Sequence, residues 1–205
     1  MNDVNNSPKQ TPEISIFMKA LAYSMPSIGM ALLLGPIPTG ILAGIYAKNY
    51  GLTLTSIASV ILFARVFDAV TDPIIGYYSD HWRVRTGSRK PFMLLGAIFL
   101  VPCSYFLFVP GGEVSIAYFA AWYFAFYLAL TLFAIPYMAW INEFTVDTKE
   151  KTLVFSTMAM IAPVGGALFF AVPLLSFFPS TDITPQILQV TVIIGAVLLL
   201  PGLMI

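Results

Sequence analysis

The 205-residue chain carries ten basic and ten acidic residues, is 59% hydrophobic and only 10% charged. A soluble domain has roughly a quarter of its residues charged, so this chain has too few charges to cover a water-facing surface. Its net charge of zero offers no attraction to nucleic acid or to an acidic partner, and its single cysteine, Cys103, excludes a disulfide within one chain.

Residues 1–19 form a polar tail of mixed charge. The apolar run after it is too long for a removable leader, so the tail reads as cytoplasmic and continues into a membrane span. A bilayer core of about 30 Å needs about 20 mostly apolar residues per helix. Six such runs follow, at about 20–46, 54–78, 92–110, 115–142, 152–176 and 187–205. The expected fold is therefore an all-α membrane bundle of six transmembrane helices over residues 20–205. In the first run, Gly35, Pro36 and Pro38 predict a kink near mid-depth.

Basic residues orient the bundle. Lys9, Lys19, Arg83, Arg85, Arg89, Lys90, Lys149 and Lys151 fall on one side and Lys48 on the other. That bias puts the N-terminus in the cytoplasm of a multi-pass inner-membrane protein. The last run stops at Ile205 without the polar flank that anchors a natural span, and reads as a chain cut short.

The second run contains "RVFDAVTDPIIGYYSD". Arg65, Asp68 and Asp72 stand at i, i+3 and i+7, on one helix face, with Thr71 at its edge. Asp68 comes 14 residues after Leu54, about 21 Å into the membrane. An ionised carboxylate there costs at least about 2.5–3.5 kcal/mol, so the face must point into a bundle or a wet cavity. Two readings are open. Arg65 and Asp68 form a structural pair that joins helices, with Asp72 hydrogen-bonded nearby. Alternatively, Asp68, Thr71 and Asp72 give hard oxygen ligands for Na⁺ or a carboxylate for H⁺, and Arg65 moderates the charge of the empty site. Pro73 frees the carbonyl of residue 69 and predicts a kink.

After this helix, Gly76 permits close contact, Asp80 is expected to end the helix, and Gly87 supports a tight turn before Arg89 and Lys90. Joined to "FDAVTDP", this loop becomes specific. "RVFDAVTDPIIGYYSDHWRVRTGSRKPFMLLGA" resembles the second-to-third-helix region of the glycoside–pentoside–hexuronide:cation symporters of the major facilitator superfamily. "AIPYMAWINEFTVDTKEKT" is similar to the end of their fourth helix and the loop after it.

The resemblance implies the N-terminal half of a twelve-helix fold, completed by a missing C-terminal six-helix half or by a second copy. It implies symport of a small, carbohydrate-like solute, a coupling cation and no other cofactor. The family's cation site matches Asp68, Thr71 and Asp72; Thr71 stands where an asparagine is known, which leaves Na⁺, Li⁺ and H⁺ open. Asp80, Arg83, Arg85, Arg89 and Lys90, with Gly76 and Gly87, match the cytoplasmic gating motif, with Glu143 as an acidic partner. The family's sugar-contacting acids, tryptophan and arginine fall on Leu32, Ala134, Met138 and Ala159, so the galactoside contacts are not carried over. A lysolipid or other amphiphile is therefore an alternative cargo. On the fourth span, Tyr127 and Tyr137 are candidate pocket residues, while Trp122 and Trp140 suit an interfacial belt.

An enzyme is not expected: the lone histidine, His81, lies in the basic loop, and both aspartates share one helix. A channel or a non-transporting membrane subunit remains the competing class.

Overall fold

A computed structural model describes residues 13–175 and 182–199, and among them the chain is helical from end to end with short connections. The helices are α1 (Glu13–Leu34), α2 (Ile41–Tyr50), α3 (Leu54–Thr86), α4 (Lys90–Phe108), α5 (Ile116–Phe144), α6 (Thr148–Ala171) and α7 (Pro185–Leu199). A 3₁₀ turn, Val172–Leu174, follows α6.

The first span is two helices. α1 stops at Leu34, and residues 35–40 form turns that the two prolines, lacking N–H groups, favour over continued helix. Gly40, at φ 74°, restarts the chain as α2, and the Thr39 hydroxyl donates to the Gly35 carbonyl at 2.8 Å. The interruption is thus a full break, wider than a kink.

Five described helices are long and apolar enough to cross a membrane, and α7 is shorter. The last residues of the sixth predicted span, 200–205, lie outside the described part. α3 has 33 residues, about 50 Å, and so overruns the bilayer core. It does not end at Asp80 but continues to Thr86. Arg83 and Arg85 occupy its last turn and Gly87, at φ 82°, caps it, which suits the negative end of the helix dipole. α6 likewise begins earlier than its apolar run, because the Asp147 carboxylate accepts from the Lys149 N–H at 3.0 Å and caps it. α3 passes Pro73 without losing its helical assignment.

α1 packs on α6 and α7, α5 packs on α3 and α4, and α4 meets α7. Exchanging the first three spans for the last three maps these five contacts onto one another, the symmetry that internal repeats give in many transporters. Small residues set the closest approaches. A Cβ on Gly96 of α4 would lie 2.5 Å from the Phe133 nitrogen of α5, and one on Gly165 of α6 would lie 2.1 Å from the Ile28 carbonyl oxygen of α1. Such contacts are how helices associate in lipid, where burial of apolar surface gives no drive. The interior is aromatic, with Phe119, Tyr123, Phe126, Phe133 and Tyr137 of α5 all buried. By contrast Leu62, Phe63, Val66 and Val70 of α3 are more than half exposed, as an apolar face in hydrocarbon can be.

Candidate functional site

The charged face of α3 meets α5 at Tyr123 and Tyr127. Arg65 Nη1 lies 3.3 Å from Asp68 Oδ2, while Arg65 Nη2 donates to the Tyr127 hydroxyl oxygen at 2.6 Å. The guanidinium carbon is 4.5 Å from the centroid of the same tyrosine ring. The Asp68 side chain is 15% exposed, and its Oδ1 is buried without a hydrogen-bond partner. The Thr71 hydroxyl donates to the Phe67 carbonyl at 3.1 Å; its proton is spent on the backbone, which leaves the oxygen able to accept. Asp72 is half-buried and joins no described residue by hydrogen bond or ion pair. Two carboxylates against one guanidinium leave this face with one uncompensated negative charge.

A second cluster lies at the other end of the α3–α5 contact, where α3 gives way to α4. Arg89, 5% exposed, precedes α4 and donates to Asp80 Oδ1 at 2.6 Å through Nη2. Its Nη1 donates to Glu143 Oε1 at 2.8 Å and to the Ala139 carbonyl at 3.4 Å. Arg83 Nε lies 3.2 Å from the same Glu143 oxygen. The end of α3, the loop at Gly87, the start of α4 and the end of α5 are thereby clasped through one buried guanidinium. Arg85 is exposed, and Lys90 Nζ sits 5.2 Å above the Trp140 ring. Gly76 does not approach α5 closely: a Cβ added there would lie at an ordinary 3.7 Å from Ile135.

The two proposed pocket tyrosines are placed differently. Tyr127 is engaged with Arg65. Tyr137, 1% exposed, stacks on Tyr23 of α1 with centroids 4.9 Å apart, and its hydroxyl donates to the Tyr23 carbonyl. Trp140 is 2% exposed and packs on Tyr23 at 5.7 Å; it belongs to the bundle interior and not to an interfacial belt. Beside Tyr137, a cleft of about 190 Å³ opens between α1, α5 and α6, lined by Ser27, Met30, Met138, Met158 and Ala159 among others. The Ser27 hydroxyl already donates to the Ser24 carbonyl at 2.6 Å, so both polar groups of that lining are committed. This cleft was not legible in the sequence, because its residues come from three helices and carry no charge.

Residues 21–205 match the family described as MFS/sugar transport protein. The chain belongs to that family. Its helices are accordingly those of a six-helix N-terminal half of the major facilitator superfamily fold. Over 147 residues, 69% of the chain, it is 33% identical to YagG of Escherichia coli (strain K12), provisionally named a glycoside/cation symporter. Over 126 residues, 60% of the chain, it is 29% identical to the inner membrane symporter YicJ of the same organism. Over 142 residues, 62% of the chain, it is 34% identical to the sodium-dependent lysophosphatidylcholine symporter 1 of Xenopus tropicalis. The matched parts are 32%, 27% and 27% of those proteins, so the chain spans about a third of its relatives' length. As a member of this family it is a multi-pass membrane protein of a transporter class.

Proposed function

We propose that this chain is the cation-handling half of a secondary active symporter that works by alternating access. The observation that carries the reading is the α3 face, where Asp68 and Asp72 have only one counter-charge and one carboxylate oxygen is buried without a partner. A single Na⁺ or H⁺, or Li⁺, held by Asp68, Asp72 and the Thr71 oxygen neutralises that face. Neutralisation lowers the cost of a closed, dehydrated intermediate, which is how the gradient drives the cycle. The clasp around Arg89 holds the cytoplasmic side shut, and solute binds between this half and a second half or a second copy. The N-terminus lies in the cytoplasm and the protein in the inner membrane; no catalytic turnover is involved.

The names of the relatives support both a glycoside and an amphiphile as cargo. One observation favours the amphiphile. The cleft beside Tyr137 has its hydroxyls committed to the backbone, and Met138 and Ala159 line it at positions that resemble sugar-contacting ones in the family. A sugar ring, rich in hydroxyls, finds few partners there.

Proteoliposomes of the complete protein test the reading with a panel of glycosides and lysolipids, with and without Na⁺ and pH gradients. Uptake collapses without the gradient, and Asp72→Asn loses it. Normal gradient-driven uptake by Asp72→Asn refutes the cation site, and steady single-channel current points to a pore instead.

A further inference from the structure

Arg65 is held less by its carboxylate than by a neutral group. Charge-assisted N–H···O bonds run about 2.7–2.9 Å, and arginine favours two parallel bonds to a carboxylate. Here the contact to Asp68 is single and 3.3 Å long, whereas the bond to the Tyr127 hydroxyl is 2.6 Å. The Tyr127 ring lies 4.5 Å from the guanidinium carbon, which adds a cation–π attraction, although the Arg65 side chain is 54% exposed. Tyr127 is 4% exposed and fixed by its neighbours, with the Tyr123 ring 5.0 Å away. Tyr123 is itself 1% exposed, and its hydroxyl is buried with no hydrogen-bond partner. The nearest polar group to it is the Tyr127 hydroxyl, with Arg65 and Asp68 beyond. Arg65 has five N–H donors and directs bonds to two acceptors, so an open acceptor beside it has a use.

We propose that the Tyr127 and Tyr123 hydroxyls form a second seat for Arg65, which the arginine takes when the coupling cation occupies Asp68. Arg65 is then a tethered competitor of that cation. While the site is empty it bridges Asp68 and the Tyr127 hydroxyl. When the cation arrives, the guanidinium gives up the carboxylate and keeps its hydrogen bonding through the two tyrosines. Both belong to α5, so the arrival of a cation on α3 is felt by a different helix. Tyr127 and Tyr123 are positioning residues in this scheme. The inference rests on the cation-site reading above.

The test needs no knowledge of the cargo. The complete protein in detergent is treated with a hydrophobic carbodiimide, which labels protonated membrane carboxyls, and labelling of Asp68 and Asp72 is followed by mass spectrometry. The reaction is titrated with Na⁺ alone at fixed pH, and with pH alone in Na⁺-free buffer. The groups facing Asp68 are Arg65 and Asp72 on α3 and Tyr123 and Tyr127 on α5, the helix packed against this stretch. In Tyr127→Phe the ring stays but the seat loses its hydroxyl, so Arg65 remains on Asp68. The half-protecting Na⁺ concentration is expected to rise about tenfold, the scale of a hydrogen bond to a charged group. The midpoint of the pH titration is expected to change as well, because the distance between guanidinium and carboxylate has changed.

In an Arg65→Gln background, Tyr127→Phe is expected to change neither midpoint, because no tethered charge is left to seat. Unchanged midpoints for Tyr127→Phe, or equal shifts in both backgrounds, overturn the proposal; the second result assigns Tyr127 a purely structural role. If neither Na⁺ nor pH alters labelling of the unmodified protein, the cation-site reading itself fails. If they do and only the tyrosine effect is missing, the seat alone fails.

Discussion

Replacing Arg89 by methionine keeps the bulk of a long side chain and removes its charge and donors. Its strongest partner is Glu143, at 2.8 Å, with side chains 7% and 14% exposed. Removing one member of a buried pair costs about 3–5 kcal/mol. Glu143 keeps Arg83 at 3.2 Å, which places the loss near 3 kcal/mol, the lower end of that range. The Asp80 bond adds little despite its 2.6 Å length, because Asp80 is 64% exposed and solvent screens such pairs to about 1 kcal/mol or less. If the clasp exists only when the cytoplasmic ends are drawn together, a loss of about 3 kcal/mol shifts the equilibrium roughly a hundredfold toward opening on that side. A cysteine reporter at Ala139, whose carbonyl contacts Arg89, reads this directly. The native Cys103 is buried and gives little background. Alkylation by a cytoplasmic, membrane-impermeant maleimide is expected to speed up in Arg89→Met, while active accumulation falls and equilibrium exchange persists. Arg85→Met, at an exposed position, serves as the control without effect. Wild-type alkylation together with wild-type accumulation in Arg89→Met refutes the gate.

Two further predictions address packing and coupling. Gly96→Ala and Gly165→Ala force a methyl group to within 2.5 Å and 2.1 Å of a neighbouring backbone. Each is expected to cost about 1–3 kcal/mol and to lower the thermal unfolding temperature in detergent. Gly44→Ala, with nothing within 4 Å, is expected to stay neutral or gain up to about 1 kcal/mol of helix stability. The single uncompensated charge on α3 predicts one monovalent cation per solute, measured from the membrane potential that halts net flux. Two cations per solute contradict the charge count.

Hydropathy and helical period were enough to find the α3 face. Charges in an apolar run are conspicuous, and the spacing 65, 68, 72 leaves little freedom about which side they share. The helix ends were less visible. Hydropathy marks where the bilayer stops, whereas a helix stops where its backbone can be capped. α3 therefore runs past Asp80 to the positive-φ Gly87, and α6 starts at the Asp147 cap, ahead of its apolar run. The two tyrosines of α5 show the same limit across helices. Tyr127 and Tyr137 are ten residues apart, about 80° around the helix axis. One therefore meets Arg65 of α3 while the other turns to Tyr23 of α1. A single sequence fixes that angle but not the direction in which the whole helix is rotated, so it did not distinguish the tyrosine of the charged α3 face from the tyrosine of the core.

That rotation also links the two charged clusters. α3 and α5 run in the same direction, and they are tied at Arg65–Tyr127 along their length and at Arg83–Glu143 near their C-terminal ends. The ties stand 18 residues apart on α3 and 16 on α5, about 27 Å and 24 Å along the two axes. Two rods held at two points cannot turn against one another at the upper tie without loading the lower one. Any change in how Arg65 is shared therefore acts on the same helix pair whose far end carries the Glu143 clasp. On this geometry the Arg65 face and the Arg89 clasp are opposite ends of one contact, and α5, which bears no charge between Ile116 and Ile141, is the member that joins them.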